Sequence, residues 1–246
     1  MTTDNNQENG NRHNPNWFSS LTNWLFSSYP QEIIESNPSK DLLRSFHITA
    51  TCRYNASTRL SRLGAFSFFT NTILALGLIL IPLIQLSGFS QVFSEGMLNC
   101  VLVFLAVEAL IYSIINSNSH YETRAKSLDE CGNRIKELYR NLSSDIYEYE
   151  HENSAFSIHP YYEQYSRLST VSENHGREDY WLTMLQERTY FHITGLARLS
   201  IVIKVAIGFV FQYISPTFLI ASEVIVILDI LKITAVFTPI LNIIAK

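Results

Sequence analysis

The chain has 246 residues, 47% of them apolar and only 16% charged, with a formal net charge of −4. A balance so small and acidic gives no electrostatic footprint for nucleic acid, and no direct nucleic-acid binding is expected. The three cysteines, Cys52, Cys100 and Cys131, stand far apart with no CxxC spacing, which argues against a disulfide framework or zinc site and leaves small reduced hydrophobes.

Residues 1–16 are Asn-rich and nearly devoid of apolar side chains, so they cannot offset the entropy of ordering and are expected to be disordered. They lack the basic start and apolar stretch of a secretory signal. Trp17, Leu21 and Trp24 then fall on one helical face, flanked by Phe18 and Leu25. Such a helix suits either the headgroup layer of a membrane or the protein's own polar part. Residues 1–38 form this disordered-to-interfacial N-terminus, closed by Asn37-Pro38-Ser39.

Ser39 is the expected N-cap of an amphipathic helix carrying Leu42, Leu43, Phe46, Ile48 and Tyr54 towards a membrane. Residues 63–115 follow as two apolar runs around a short polar turn. The first, about residues 63–86, has no charged side chain; the second, about residues 97–115, has one, Glu108. Roughly 20 apolar residues cross a hydrocarbon core, so the two runs predict a transmembrane hairpin. Lys40, Arg44, Arg53, Arg59 and Arg62 precede it, and Arg124, Lys126, Arg134, Lys136 and Arg140 follow it. The turn, residues 87–96, holds Glu95 and no Lys or Arg. Positive flanks on both ends place them, and the N-terminus, in the cytoplasm of a multi-pass inner-membrane protein. Asn55-Ala56-Ser57 and Asn141-Leu142-Ser143 then lie on the inner side and read as chance sequons.

Pro82 lies one turn from the end of the first span, where it loosens the helix locally. Gly64, Ala65, Ser67, Ala75 and Gly77 let another helix come close. A carboxylate in mid-span costs about 2–3 kcal/mol on insertion scales, so Glu108 faces protein or water. It either lines an oligomeric pore or bonds to Asn71 or Thr72.

A proline-free helix runs on from Tyr121. Its stripe of Tyr121, Ala125, Leu128, Ile135, Leu138, Leu142 and Ile146 is interrupted only by Gly132. Glu122 with Lys126 and Glu130 with Arg134 support the outer face. The stripe packs on the pre-hairpin helix or on a copy of itself, the latter giving a homo-oligomer.

A basic helix with Arg53-Tyr54-Asn55-Ala56-Ser57-Thr58-Arg59-Leu60, a two-span hairpin and a helix with Tyr121, Arg124, Ala125 and Leu128 resembles a SLATT domain. That family comprises two-transmembrane effectors associated with SMODS and SLOG proteins in bacterial conflict systems. Glu173-Asn174-His175 with Asp179-Tyr180 is similar to the subgroup found beside reverse transcriptases, and the whole resemblance covers about residues 42–180. It implies a membrane effector of anti-phage defence, forming a pore that disrupts the bilayer and causes abortive cell death. It also implies a reverse transcriptase or nucleotide-signalling protein as partner, beside the lipid bilayer and copies of the chain. The alternative is a non-conducting membrane anchor that recruits a partner enzyme.

Residues 151–192 read as a polar cytosolic insert after a hairpin region at 39–150. Its histidines, His151, His159 and His175, have no HxxxH or HExxH spacing, and no P-loop or nucleophile elbow is present. No catalytic residue, metal or cofactor is expected. Asn174, His175, Asp179 and Tyr180 suit either a hydrogen-bonded cap on a helix starting near Asn174 or a sensing contact.

Residues 193–246 turn apolar again with Lys204, Glu223, Asp229 and Lys232 embedded, and Ser215-Pro216 divides them. Asp229 and Lys232 are spaced to pair along a helix. Two arrangements fit: a second hairpin with Lys246 inside, or a bent pair packed on the cytosolic face. The expected fold is therefore an all-α membrane protein, a transmembrane hairpin flanked by long cytosolic amphipathic helices plus a C-terminal apolar helical pair. Asn71, Glu108, Lys204, Glu223, Asp229 and Lys232 are the intramembrane polar candidates for a pore.

Overall fold

A computed structural model describes residues 22, 24–25, 31–32, 37–88, 93–152, 156–171 and 173–236. The disorder expected of residues 1–16, the Trp17, Phe18 and Leu21 part of the interfacial helix, and Lys246 lie outside them.

Helix α1, Pro38–Leu86, runs unbroken for 49 residues, about 73 Å at the helical rise. The amphipathic and apolar stretches are thus one rod. Its N-cap is Asn37 and not Ser39: Asn37 Oδ1 accepts the Ser39 N–H at 2.9 Å. Pro38 in the first turn lacks only an N–H that would have had no helical partner. Helix α2, Glu95–Ser119, starts at Ser94, whose Oγ accepts the Met97 N–H at 3.4 Å. It hands over to α3, Tyr121–Glu152, through His120 alone, in the left-handed region at φ 46°.

The N-terminal half of α1 and α3 form an antiparallel pair. Leu42 and Phe46 pack with Leu138 and Leu142, whereas Ala56 and Leu60 pack with Ala125 and Leu128. Gly132 is no interruption. A Cβ there would lie 2.9 Å from the Tyr54 ring, so the missing side chain is the room the tyrosine uses, and Tyr54 donates to Asn133 at 2.9 Å. Helix α4, His159–Val171, covers this pair through the Thr49–Tyr165 hydroxyl contact at 2.7 Å and the Phe46–Tyr165 rings. Tyr161 donates to Asp145 at 2.5 Å, and burial with that bond pushes its phenol up to about 12.

After α5, Arg177–Gln186, a two-residue strand β2, Phe191–His192, pairs antiparallel with β1, Gln31–Glu32. Helix α6 then runs from Gly195 to Ile230. Gly195 sits at φ 57°, and a Cβ on it would come within 2.2 Å of the Trp24 carbonyl oxygen. The chain at Trp24–Leu25 therefore closes over the start of α6.

One helix of 36 residues replaces the C-terminal pair: no second hairpin forms within the described residues, and the helix runs through Ser215-Pro216 without a break. Pro216 is buried inside α6. Among apolar neighbours a broken helix would strand backbone groups without partners, so one lost hydrogen bond is the smaller cost. The direction of α6 is parallel to α1. Ile201 and Val205 meet Ile48 and Cys52, the Tyr213 ring meets Phe66 at 5.2 Å, Glu223 meets Gly77, and Ile230 meets Ile81.

Among the described residues three helices are long and apolar enough to cross a membrane, two of them the expected spans and the third α6. Their outer faces carry large bare apolar groups, such as Phe68 at 71%, Phe104 at 68% and Phe211 at 75% exposure. Such a continuous apolar surface suits acyl chains. The protein is an all-α membrane protein.

Candidate functional site

Midway along the apolar layer, α1 turns Gly77 towards α6, and the Glu223 side chain lies directly against it. Glu223 is 1% exposed, and neither of its carboxyl oxygens has a hydrogen-bond partner. The neighbouring charged group is another acid. Glu108 of α2 interacts electrostatically with Glu223, and its Oε2 is likewise buried without a hydrogen-bond partner. Antiparallel α2 and parallel α6 thus bring two carboxyls to one depth. Beside them a cavity of ≈ 220 Å³ runs between α2 and α6, walled by apolar side chains with Glu108 and Ser222 as its polar members.

The other intramembrane candidates are distributed differently. Thr72 donates to the Phe68 carbonyl at 3.0 Å and not to Glu108, and Asn71 is half-buried a turn and a half before Gly77. Lys204 lies in the third turn of α6. It is exposed, 5.6 Å over the Trp181 ring, where the first turns of α6 lie beside α5 and the N-terminal half of α1. Asp229 is fully buried and accepts from the Thr234 hydroxyl and, at 3.1 Å, the Val236 N–H. Lys232 lies beyond the end of α6 at φ 58°.

A second polar layer lies where the apolar runs meet the polar helices. Arg59 of α1 holds the fully buried carboxylate of Asp179 with two parallel bonds, Nε to Oδ1 at 2.9 Å and Nη2 to Oδ2 at 3.0 Å. The bond to Asp179 pushes the guanidinium above its ordinary value. The same Asp179 Oδ2 accepts the Gly176 N–H at 2.9 Å, capping α5. Arg59 also reaches Gln212 of α6 at 3.3 Å, and Glu178 lies against Gly208, so this one cluster touches α1, α5 and α6. Helix α5 starts at Arg177, three residues later than Asn174, which is exposed. Tyr180 packs its ring edge-on to Phe191 at 6.1 Å.

Below this, Asn55 donates to Thr183 at 3.0 Å and Gln186 at 2.9 Å, and the Cys52 thiol donates to Thr183 at 3.2 Å. Burial pushes that thiol up to about 11, so Cys52 is a packing group and a poor nucleophile. Arg53 is 1% exposed, with Nε and Nη1 lacking hydrogen-bond partners. Its charge acts on His175, whose Nδ1 is also buried without a partner; burial first and Arg53 second hold the imidazole below its ordinary value. The exposed Arg124–Glu173 pair, at 2.9 Å, adds little. His151 bonds the Tyr147 carbonyl and His159 faces Glu163. Among the described residues no three His, Cys, Asp or Glu side chains are grouped to hold a metal ion.

The sequence names both Glu108 and Glu223, and both Arg59 and Asp179, but not that they meet. Gly77 stood out there only as a small residue, and the hydrogen-bond set around Thr183 had no signal at all.

The family model for the SMODS and SLOG-associating 2TM effector domain family 5 matches residues 35–227, from just before the α1 cap to the last turn of α6. No curated protein and no solved structure matches the chain.

Proposed function

Because the chain belongs to the SMODS and SLOG-associating 2TM effector domain family 5, we propose that it acts as the membrane-disrupting effector of an anti-phage conflict system. In this reading copies of the chain assemble in the inner membrane, N-terminus in the cytoplasm, into a pore whose opening ends the infected cell. One observation carries it: Glu108 and Glu223 sit together in the apolar layer with no hydrogen-bond donor on their buried oxygens. Two such groups are costly in hydrocarbon and find compensation when assembly brings water or donors of another copy to them. The bare apolar faces of the spans leave room for that assembly.

The cytosolic body would then hold the spans closed until a partner acts on it. The Arg59–Asp179–Gly176 cluster is well placed for this, joining α5 to α1 and, through Gln212, to α6. The likeness of residues 173–180 to the subgroup beside reverse transcriptases supports a reverse transcriptase, or a nucleotide-signalling protein, as that partner. No catalytic step by the chain itself is required.

Leakage of dye and ions from liposomes carrying the purified protein tests the reading. Leakage that Glu108→Gln and Glu223→Gln alter supports it, and tight liposomes at high protein loading sink it. A second reading, a non-conducting anchor for a partner enzyme, is favoured by the exposed tyrosines of the cytosolic body, Tyr147 at 62% and Tyr149 at 50%. Co-purification of an enzyme without any change of membrane potential on induction would select it.

A further inference from the structure

A groove of ≈ 710 Å³ opens between α1 and the start of α3, away from the acid pair. Small side chains on α1 make the room, and Gly64 lets the Tyr121 Cβ come close. From Ser57 to Phe68 the groove is about 16 Å long at the helical rise. It crosses a boundary, because the charge-free run begins at Leu63. Past that point the α1 wall is Ala65 and the exposed ring of Phe68. Before it the wall is polar, with Lys126 and Asp129 of α3 beside Ser57 and Ser61. Lipid headgroups extend about 5–7 Å outside the hydrocarbon, so Ser61 and the charges beside it stand at their depth where α1 crosses a bilayer. These polar groups are unused. Ser57 and Ser61 do not bond back to the carbonyl four residues earlier, as Thr51, Thr70 and Thr72 of the same helix do. Among the described residues the Ser57, Ser61, Glu122 and Lys126 side chains have no hydrogen-bond or ion-pair partner, so the expected Glu122–Lys126 pair does not close. Asp129 Oδ2 accepts from Asn133 at 3.1 Å, which leaves its other oxygen open.

We propose that this groove binds a phosphatidylethanolamine molecule, its phosphate on Lys126 and Ser61, its ammonium on Asp129 and Ser57, and an acyl chain along Ala65 and Phe68. Lys126 and Asp129 are neighbours one turn apart on α3. Phosphate and ammonium are two carbons apart in this headgroup, so each meets an opposite charge in a charge-assisted hydrogen bond. Charge complementarity chooses the zwitterion. Two acids, Glu122 and Asp129, stand against one lysine in the wall, which disfavours a purely anionic headgroup. A choline headgroup keeps both charges but has no N–H to give to Asp129. The volume is also sufficient, since sites for ligands of this size run about 300–1,000 Å³.

The site goes beyond the pore reading and is tested without ion flux. Native mass spectrometry of the full chain in detergent, with equal amounts of dioleoyl phosphatidylethanolamine, phosphatidylcholine and phosphatidylglycerol, reads its occupancy. Phosphatidylethanolamine is expected to be bound roughly tenfold more than either rival, as for one charge-assisted hydrogen bond. Asp129→Asn keeps an oxygen for Asn133 and should bring the ethanolamine and choline lipids to equal occupancy. Ser61→Trp fills the groove and should remove both the bound lipid and the rise in Tm that it gives. Equal occupancy by all three lipids in the unsubstituted chain would reduce the groove to an unselective acyl surface and overturn the proposal. A preference that survives Asp129→Asn places the lipid elsewhere and overturns it too. So does displacement of the lipid by an equal concentration of glycerophosphoethanolamine, which has no acyl chain, because a soluble ligand would then occupy the groove.

Discussion

The carboxyl of Glu223 occupies the space that a side chain at Gly77 would need. A Cβ on residue 77 would lie 1.8 Å from Glu223 Oε1 and 2.4 Å from its Cδ. Gly77→Ala must therefore push α6 outward or turn the carboxyl away from the interface. Overpacking of this kind costs about 1–3 kcal/mol. The loss is read as a lower Tm in detergent or nanodiscs. Glu223→Ala in the same chain should restore much of it, because the clashing atoms are then gone. Purely additive effects in the double variant would show that the two residues do not share this space.

Arg59 and Asp179 form the other close pair, with side-chain exposures of 15% and 0%. Asp179→Ala removes the carboxylate from a guanidinium that is mostly buried and strips the Gly176 N–H of its acceptor. Breaking a buried pair from one side costs about 3–5 kcal/mol. Partial exposure of Arg59 places the expectation at the lower end, about 3 kcal/mol. Arg59→Lys should lose part of this, since an ammonium cannot match both oxygens with parallel bonds. Hydrogen exchange localises the effect: α5 amides should exchange faster while α3 stays protected. Unchanged α5 protection would mean the pair does not hold that helix.

What could be read from residues alone follows from how local each signal is. The charge-free run at residues 63–86 and the run around Glu108 announce spans because length and hydropathy are local properties. The α3 stripe is equally visible, since Ala125, Leu128, Ile135, Leu138 and Leu142 repeat on one face. Partners distant in sequence are not visible in this way. Asp179 is a helix-capping residue by pattern and Arg59 a flanking positive charge, but 120 positions separate them in the chain. Ser215-Pro216 looks like a divider because proline breaks helices in water. Inside an apolar layer the helix persists, and that one difference carries Glu223 to Gly77. Gly132 misleads for the opposite reason: its absent side chain is read as weakness until Tyr54 is seen lying over it.

His175 gives stability a pH dependence of definite sign. Burial, with Arg53 nearby, lowers its folded-state value below the ordinary 6.5, while Asp179 opposes this more weakly. The unfolded chain then binds the proton more readily than the folded one. This contribution is fully present above about pH 6.5 and is lost as pH falls through the lowered folded-state value. His175→Gln should flatten the fall of Tm on the acid side of pH 6.5 relative to the unsubstituted chain. Identical slopes in the two proteins would remove His175 as its source.

The parallel course of α1 and α6 makes a topological prediction that a hairpin pair would not. Ile201 is level with Ile48 among the polar helices, and Ile230 is level with Ile81 near the hairpin turn. If α1 and α2 cross the bilayer, α6 crosses it once in the direction of α1. Residues 231–236 should then lie on the same side as the turn and opposite to Lys40, Lys126 and Arg188. Single cysteines introduced at Ser87 and Ala235, in a chain whose three native cysteines are replaced, test this with a membrane-impermeant maleimide in intact cells. Both should react from outside, whereas a cysteine at Glu137 should react only after permeabilisation. Labelling at Ala235 that also requires permeabilisation would place the end of α6 on the cytosolic side. Glu223 and Glu108 would then no longer share a depth, and the two-acid centre would lose its basis.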